Sequence, residues 1–360
     1  MINVTKSFMP PIEEYEQYIE KIWKNNWLTN EGPLLKELTG KMEDYLQLNH
    51  INMVSNGTLA LQLAINALNI DSGEIITTPF SFVATTSSII WENCKPVFVD
   101  IDKDTLCIDV NKIEQAITKQ TKAILAVHVF GYPCDVDEIE KIARKHNLKV
   151  IYDGAHAFGS IYKGKSLLGY GDITTCSFHS TKLFHTIEGG ACISKEKNTH
   201  DIIQQIKTFG NINGNYDVVG INCKMTEFSA AMGLANFKYI SKIIEERRKI
   251  SELYDELLKE VVIRPKFSED LQYNYSYYPV ILKSEKILLD VVKKLNQKEI
   301  FPRRYFYPSL NKLKYIQNKK NCPISEDISK RILCLPLYVG LEKEKIIEIS
   351  NIILDKEKNK

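Results

Sequence analysis

One lysine stands in the stretch Ser177-Phe178-His179-Ser180-Thr181-Lys182, which runs on through Leu183-Phe184-His185-Thr186-Ile187-Glu188-Gly189-Gly190 into the apolar Ala191-Cys192-Ile193-Ser194. An amine that attacks a carbonyl must be desolvated enough to give up its proton, and aromatic and small polar neighbours supply that setting. The plain alternative is an exposed loop lysine. Asp153 ends the apolar run Val150-Ile151-Tyr152 and precedes Gly154-Ala155-His156. A carboxylate at a strand end is costly to desolvate without a cation, and one natural partner is the protonated nitrogen of a pyridine cofactor. A helix N-cap is the other reading of Asp153. His156 either bonds the same ring or is a satisfied core histidine.

Two further features precede these in the chain. Ser55-Asn56-Gly57-Thr58 leads from a strand-like run straight into a helical one. Free N–H groups and the helix dipole there favour a phosphate, while an ordinary cap by Asn56 or Thr58 explains the turn equally well. Phe82, in Pro79-Phe80-Ser81-Phe82, offers a face to a flat ring or packs in the core. Ser177 reaches the Gly57 phosphate turn if the two strands end side by side. Each feature alone has a structural explanation. Phosphate turn, aromatic, aspartate and lysine, in that order, suit one cofactor, pyridoxal phosphate.

These residues need a sheet to bring them together. From Asn52 to about Ile206, runs rich in Val, Ile and Phe alternate with helical stretches: INMVS before TLALQLAINAL, EIITT before SFVATTSSIIWEN, PVFVD before NKIEQAITK, AILAVHVF before DVDEIEKIARKH, and KVIYD before GAHAFGS. The alternation predicts an α/β fold, a three-layer α/β/α architecture with a mostly parallel sheet and a helical crossover between strands. Ligands bind at the C-terminal ends of such strands, where all four features lie. Ile12, Tyr15, Ile19, Ile22 and Trp23 predict an earlier helix before the loop NNWLTNEGP. A long amphipathic helix is expected over Phe237, Ile240, Ile243, Ile244, Ile250, Leu253 and Leu257, linking to a smaller C-terminal α+β domain. The expected division is residues 1–245, an N-terminal segment and the large cofactor-binding domain, and 246–360, the linking helix and the small domain. The final DKEKNK reads as a frayed tail.

Composition excludes several classes. The 360 residues are 44% hydrophobic and 26% charged, the average of a globular chain long enough for two units. Lys+Arg 47 against Asp+Glu 45 gives +2, so neither nucleic acid nor anionic lipid is an expected partner. The eight cysteines form no CxxC pair and no Cys/His spacing of a zinc site, so no metal is expected and the thiols read as buried. The N-terminus has no apolar signal region and no apolar stretch is long enough for a bilayer, so a soluble protein of the cytoplasm is expected. No GxGxxG opens the first βα turn, which removes a nicotinamide dehydrogenase.

The chain resembles the DegT/DnrJ/StrS nucleotide-sugar aminotransferases, members of the aspartate-aminotransferase superfamily of fold type I. The resemblance covers nearly the whole chain and rests on Trp27-Leu28-Thr29 with Gly32-Pro33, the turn from Ser55 to Leu61, PVFVD running into IDKDT, VHVFGYPCDVD around Gly131, YDGAHAFGS, SFHSTK with EGG, GINCKMTEFSAAMG from Gly220 and LCLPLY from Leu333. It implies that Lys182 carries the cofactor as a Schiff base and shuttles the proton. It implies that Asp153 holds the pyridinium, that His156 lies near the ring hydroxyl, and that Phe82 stacks on the ring. Gly57, Thr58 and Ser177 would hold the phosphate, joined by Asn222 of a second copy in a homodimer with shared active sites. Trp27, Thr29, Lys224 and Tyr305 are the expected substrate contacts, with Arg303 and Arg304 as candidates for the sugar nucleotide's pyrophosphate.

The implied reaction takes an amino group from L-glutamate to a keto group of a nucleotide-linked 6-deoxyhexose. SFHSTKLFHTIEGG with the opening VTKS looks most like enzymes that make dTDP-4-amino-4,6-dideoxyglucose for O-antigen or other surface polysaccharide. Amination at C3 and a GDP-linked sugar, as in perosamine synthesis, are the alternatives within the class, and a non-catalytic sensor is the alternative outside it. Two departures stand out. Tyr307-Pro308-Ser309-Leu310 leads to Asn311 where the family often has histidine, and Lys224 replaces a frequent arginine, a point charge for a bidentate fork.

Overall fold

β-branched and aliphatic runs bounded by Gly, Asn and Asp form the strands of a central sheet. In the computed structural model, which describes every residue except Asn213, Asp217, Asn318, Asn359 and Lys360, seven strands make this sheet. They are β1 (Ile51–Val54), β2 (Gly73–Thr77), β3 (Cys94–Phe98), β4 (Thr121–Val127), β5 (Lys149–Asp153), β6 (Ile173–Ser177) and β7 (Gly190–Ser194). Their spatial order is β1-β7-β6-β5-β4-β2-β3, and β7 alone runs antiparallel to its neighbours. β4 is apolar on both faces, with Ala123 to Val127 all buried, because helices cover the sheet on each side. The fold is therefore the mostly parallel α/β arrangement expected.

Helices Gly57–Ala67, Val83–Trp91 and Val136–His146 follow β1, β2 and β4. The expected helix over NKIEQAITK is absent: the crossover from β3 to β4 holds only the short 3-10 turns Val110–Lys112 and Glu114–Ala116. Ile113 and Ala116 supply just two buried side chains there, too narrow an apolar stripe for a longer helix. The N-terminal helix Ile12–Asn25 forms as expected, and Pro33–Leu46 adds a second one. Among the described residues no helix is long and apolar enough to cross a membrane, and all eight cysteines are free and buried.

The linking helix begins later than expected, at Ile240, and runs to Leu258; Phe237 ends the separate helix Glu227–Phe237. Its apolar residues change cores along its length. Ile240 and Ile243 join the sheet core, whereas Ile250, Tyr254 and Leu258 join a second core with Val280, Leu288, Leu335 and Ile349. The second core is built on the antiparallel pair Tyr278–Ile281 and Ile332–Leu335 and the helices Glu285–Gln297 and Lys343–Lys358. Ile2–Asn3 pairs in parallel with Ile300–Phe301, and Leu271, Tyr277, Ile281, Phe306, Ile328 and Ile332, all from beyond residue 245, pack into the sheet core.

The frayed tail is not found over its described part. The last helix continues to Lys358, and the fully buried Glu357 carboxylate accepts from Lys283 N at 2.9 Å while Lys283 Nζ donates to Glu357 O at 2.9 Å. That anchor lies in three-dimensional contact and not in local composition. Residues 359 and 360 of that expectation lie outside the described residues.

Candidate active site

The C-terminal ends of β1, β5 and β6 and the loop after β2 open into a cavity of about 310 Å³. It is lined by Gly57, Thr58, Phe82, Asp153, His156, Ser177, Lys182 and Tyr305, so residues more than 200 positions apart meet at one place.

At one end, Asn56 caps the helix Gly57–Ala67, its Oδ1 accepting from Leu59 N at 2.9 Å. The cap leaves the N–H groups of Gly57 and Thr58 at a positive helix end that faces the cavity. β1 and β6 do not end side by side, because β7 lies between them. Gly57 and Ser177 meet nonetheless: a Cβ on Gly57 would stand 2.9 Å from Ser177 Cβ. The approach passes over Gly190, which pairs with both Val54 and Ser177. A Cβ there would lie 2.7 Å from the carbonyl carbon of Asn56 and 2.8 Å from Cys176 O.

In the middle of the cavity Asp153 is buried at the end of β5 with no ion pair among the described residues. Its Oδ2 accepts from Thr85 Oγ1 at 2.7 Å, Ser81 and Thr85 hydroxyls lie 2.7 Å apart, and Oδ1 accepts from Ala155 N at 3.1 Å. Burial raises the carboxyl's pKa, against the lowering pull of these hydrogen bonds and of Lys182. Lys182 is affected in the opposite sense: burial lowers its pKa, and Asp153 and Tyr305 only partly restore it. Its Nζ lies 5.9 Å from the Tyr277 ring centroid, with no carboxylate in salt-bridge reach among the described residues. Lys182 is thus a partly desolvated amine beside an aromatic ring.

His156 is buried, and burial holds its pKa well below the usual value, so the ring is neutral. Nδ1 accepts from Phe130 N at 3.1 Å, which assigns the proton to Nε2. The imidazole is parallel to Phe130 and Phe306, at 6° and 3°, and its plane is thereby fixed. Phe82, by contrast, is 58% exposed and lines the cavity.

Trp27, Thr29, Asn222 and Lys224 do not line this chain's cavity. Trp27 is exposed, and Lys224 Nζ donates to Asn222 Oδ1 at 2.6 Å and sits over the Phe209 ring. Arg303 lines the cavity, while Arg304 turns away to Glu285 at 2.7 Å. Asn311 is wholly buried, bonded to Lys320 O and Glu326, and faces no ligand space. Ser81, Thr85, Tyr277 and Phe306 were missed. For Ser81 and Thr85 the available signal was two hydroxyls one turn apart just after a strand, while their meeting with Asp153 is made by the sheet; for Tyr277 and Phe306 there was none, since the smaller unit delivers them.

The donor set fits pyridoxal phosphate. A buried carboxylate without a cation matches a protonated pyridine nitrogen, two helix-start N–H groups and the Ser177 hydroxyl match a phosphate, and an amine of lowered pKa matches an aldehyde carbon.

The profile of the DegT/DnrJ/EryC1/StrS aminotransferase family matches residues 11–354. The chain is 41% identical to dTDP-4-amino-4,6-dideoxy-D-glucose transaminase of Escherichia coli, over 99% of this chain and 98% of that protein. It is 34% identical to GDP-perosamine synthase of Escherichia coli O157:H7, over 93% of each. Among solved structures, that of DesI in the presence of its TDP-sugar product superposes with a TM-score of 0.94 at 28% identity, over 99% of this chain and 93% of that one.

Proposed function

The chain belongs to the DegT/DnrJ/EryC1/StrS aminotransferase family and is a pyridoxal-phosphate-dependent aminotransferase, and from that premise we propose that it moves an amino group from L-glutamate to C4 of a dTDP-linked 4-keto-6-deoxyhexose. The product is dTDP-4-amino-4,6-dideoxyglucose, made in the cytoplasm for O-antigen or another surface polysaccharide. The observation that carries the substrate is the 41% identity over essentially the full length of both chains.

Bound in the cavity, pyridoxal phosphate supplies a carbon that amines attack and a ring that accepts an electron pair. Gly57 and Thr58 N–H groups and the Ser177 hydroxyl hold its phosphate, and Phe82 covers its face. Asp153 keeps a proton on the ring nitrogen, with Thr85 and Ala155 N–H favouring the carboxylate form. His156 donates its Nε2 proton to the ring hydroxyl. Lys182 Nζ, neutral over a wider pH range than an ordinary lysine, takes the proton from the donor's α-carbon and delivers one to the sugar carbon.

The working unit is a homodimer. Trp27, Leu28, Phe209 and Ile221 are exposed, and the Glu31–Lys207 ion pair at 2.9 Å ties the loop of the first pair to the segment of the second. This apolar surface next to Asn222 and Lys224 supports a second copy whose Asn222 reaches the phosphate and whose Trp27, Thr29 or Lys224 contacts the substrate.

The test presents the aminated enzyme with dTDP-, UDP- and GDP-linked keto sugars and follows the cofactor's visible spectrum. Return of the spectrum with dTDP-4-keto-6-deoxyglucose is expected. Return only with a GDP-linked sugar would replace this reading by the perosamine type suggested by the 34% identical relative.

A further inference from the structure

Six of the seven arginines are committed within the fold. Arg144, Arg248, Arg264, Arg304 and Arg331 pair with carboxylates, and Arg247 donates to the Tyr275 and Ser276 carbonyls. Arg303 differs. Among the described residues its side chain makes one hydrogen bond, from Nη1 to the Tyr305 hydroxyl at 3.4 Å, lies 5.9 Å from the centroid of that same ring, pairs with no carboxylate, and lines the cavity. A guanidinium presents five donors, so most of this group's capacity is open toward the ligand space.

The stem of Arg303 is held while its head is free. Arg303 N donates to Cys334 O at 3.2 Å and Cys334 N donates back to Arg303 O at 2.8 Å, which locks the backbone to the buried strand Ile332–Leu335. Tyr305 stands at 90° to Tyr277, whose ring lies beside Lys182. The fork is therefore preorganised on the wall that faces the reactive amine.

Charge balance narrows its task. One chain's lining holds two permanently or potentially cationic side chains besides its histidines, Lys182 and Arg303; Lys182 must be neutral to act as a nucleophile and base, and Lys224 of a second copy would add a point charge but no bidentate fork. Both substrates are anions, an amino acid with a carboxylate and a sugar nucleotide with a diphosphate, and they use the same cavity in turn. Planar bidentate recognition of carboxylate and phosphate oxygens is what a guanidinium does and an ammonium does not.

We infer that Arg303 is the oxyanion anchor shared by the two half-reactions, taking the donor's carboxylate in the first and the acceptor's diphosphate in the second. The inference rests on the aminotransferase reading of the cavity. Arg303→Met and Arg303→Lys are the variants, and Arg304→Met is the control because Arg304 serves the ion pair with Glu285. Two quantities are measured: the apparent affinity for L-glutamate in the first half-reaction, and the calorimetric affinity for dTDP, which needs no turnover. Should the wild type fail to bind dTDP, UDP and GDP replace it, so an error in the nucleotide assignment is visible in the wild type alone. Both affinities are expected to fall at least tenfold in Arg303→Met and to recover only in part in Arg303→Lys, with the cofactor spectrum and Arg304→Met unchanged. Loss of one affinity alone, or of neither, overturns the shared anchor.

Discussion

Thr85 Oγ1 donates a 2.7 Å hydrogen bond to Asp153 Oδ2, linking the first turn of the helix after β2 to the end of β5. This bond stabilises the carboxylate form of a group that burial pushes toward its acid form. Thr85→Val removes the donor and leaves the shape, so cofactor affinity is expected to weaken about tenfold with little loss of stability, from the worth of a hydrogen bond to a charged group. Titration of the cofactor into the variant checks it; unchanged affinity would show that the bond serves packing only.

Asp153 itself is expected to help function and harm the cofactor-free fold. Its folded pKa is raised above 3.8, so its contribution to stability is greatest at pH below that value and declines as pH rises through the folded pKa. Asp153→Asn should therefore leave the cofactor-free protein at neutral pH as stable as wild type or more so, by on the order of 1 kcal/mol. The same variant should lose turnover by more than a hundredfold. Denaturant melts with and without cofactor decide the point: a cofactor-free variant clearly weaker than wild type would contradict it.

Lys182 sets the pH dependence of cofactor capture. Burial lowers its pKa from 10.5, so the rate of capture should rise with pH as the amine loses its proton and level off below that value. A stopped-flow pH profile measures this. A rate still climbing at pH 10.5 would mean an ordinary, solvated lysine.

Two glycines should fail differently. Gly190→Ala meets backbone at 2.7 Å and is expected to destabilise the fold by about 1–3 kcal/mol. Gly57→Ala meets the Ser177 side chain at 2.9 Å, displaces it from the helix start, and should weaken phosphate holding, with a smaller effect on stability. Thermal melts alongside titrations with inorganic phosphate or cofactor separate the two.

Glu227 is a buried carboxylate with a structural task. Its Oε2 and Oε1 accept from Leu34 N at 2.8 Å and Leu35 N at 2.9 Å, capping the helix Pro33–Leu46 from another helix. Glu227→Ala should cost roughly 2–4 kcal/mol by leaving two first-turn N–H groups unpaired, readable as a shift in the urea midpoint.

The large unit was legible because its apolar runs, turn residues and strand-end polar groups are adjacent in sequence. Asp153, Lys182 and the turn at Gly57 follow directly from that pattern. The failures share one physical cause, contacts made far along the chain. Glu357 holds the last helix by bonding Lys283, so a highly charged ending proved ordered. The Glu227 cap and the Tyr277 and Phe306 wall depend on how separate units meet, which no local spacing encodes. NKIEQAITK erred the other way, since only Ile113 and Ala116 are buried there, a stripe that supports 3-10 turns and no longer helix.

The most direct test of the proposed amination is to incubate the purified protein with pyridoxal phosphate, 15N-labelled L-glutamate and dTDP-4-keto-6-deoxyglucose and to take the NMR spectrum of the sugar nucleotide formed. The account predicts labelled nitrogen on C4, in dTDP-4-amino-4,6-dideoxyglucose. Nitrogen on C3, or no labelled sugar while the cofactor remains bound and accepts nitrogen from glutamate, would contradict it.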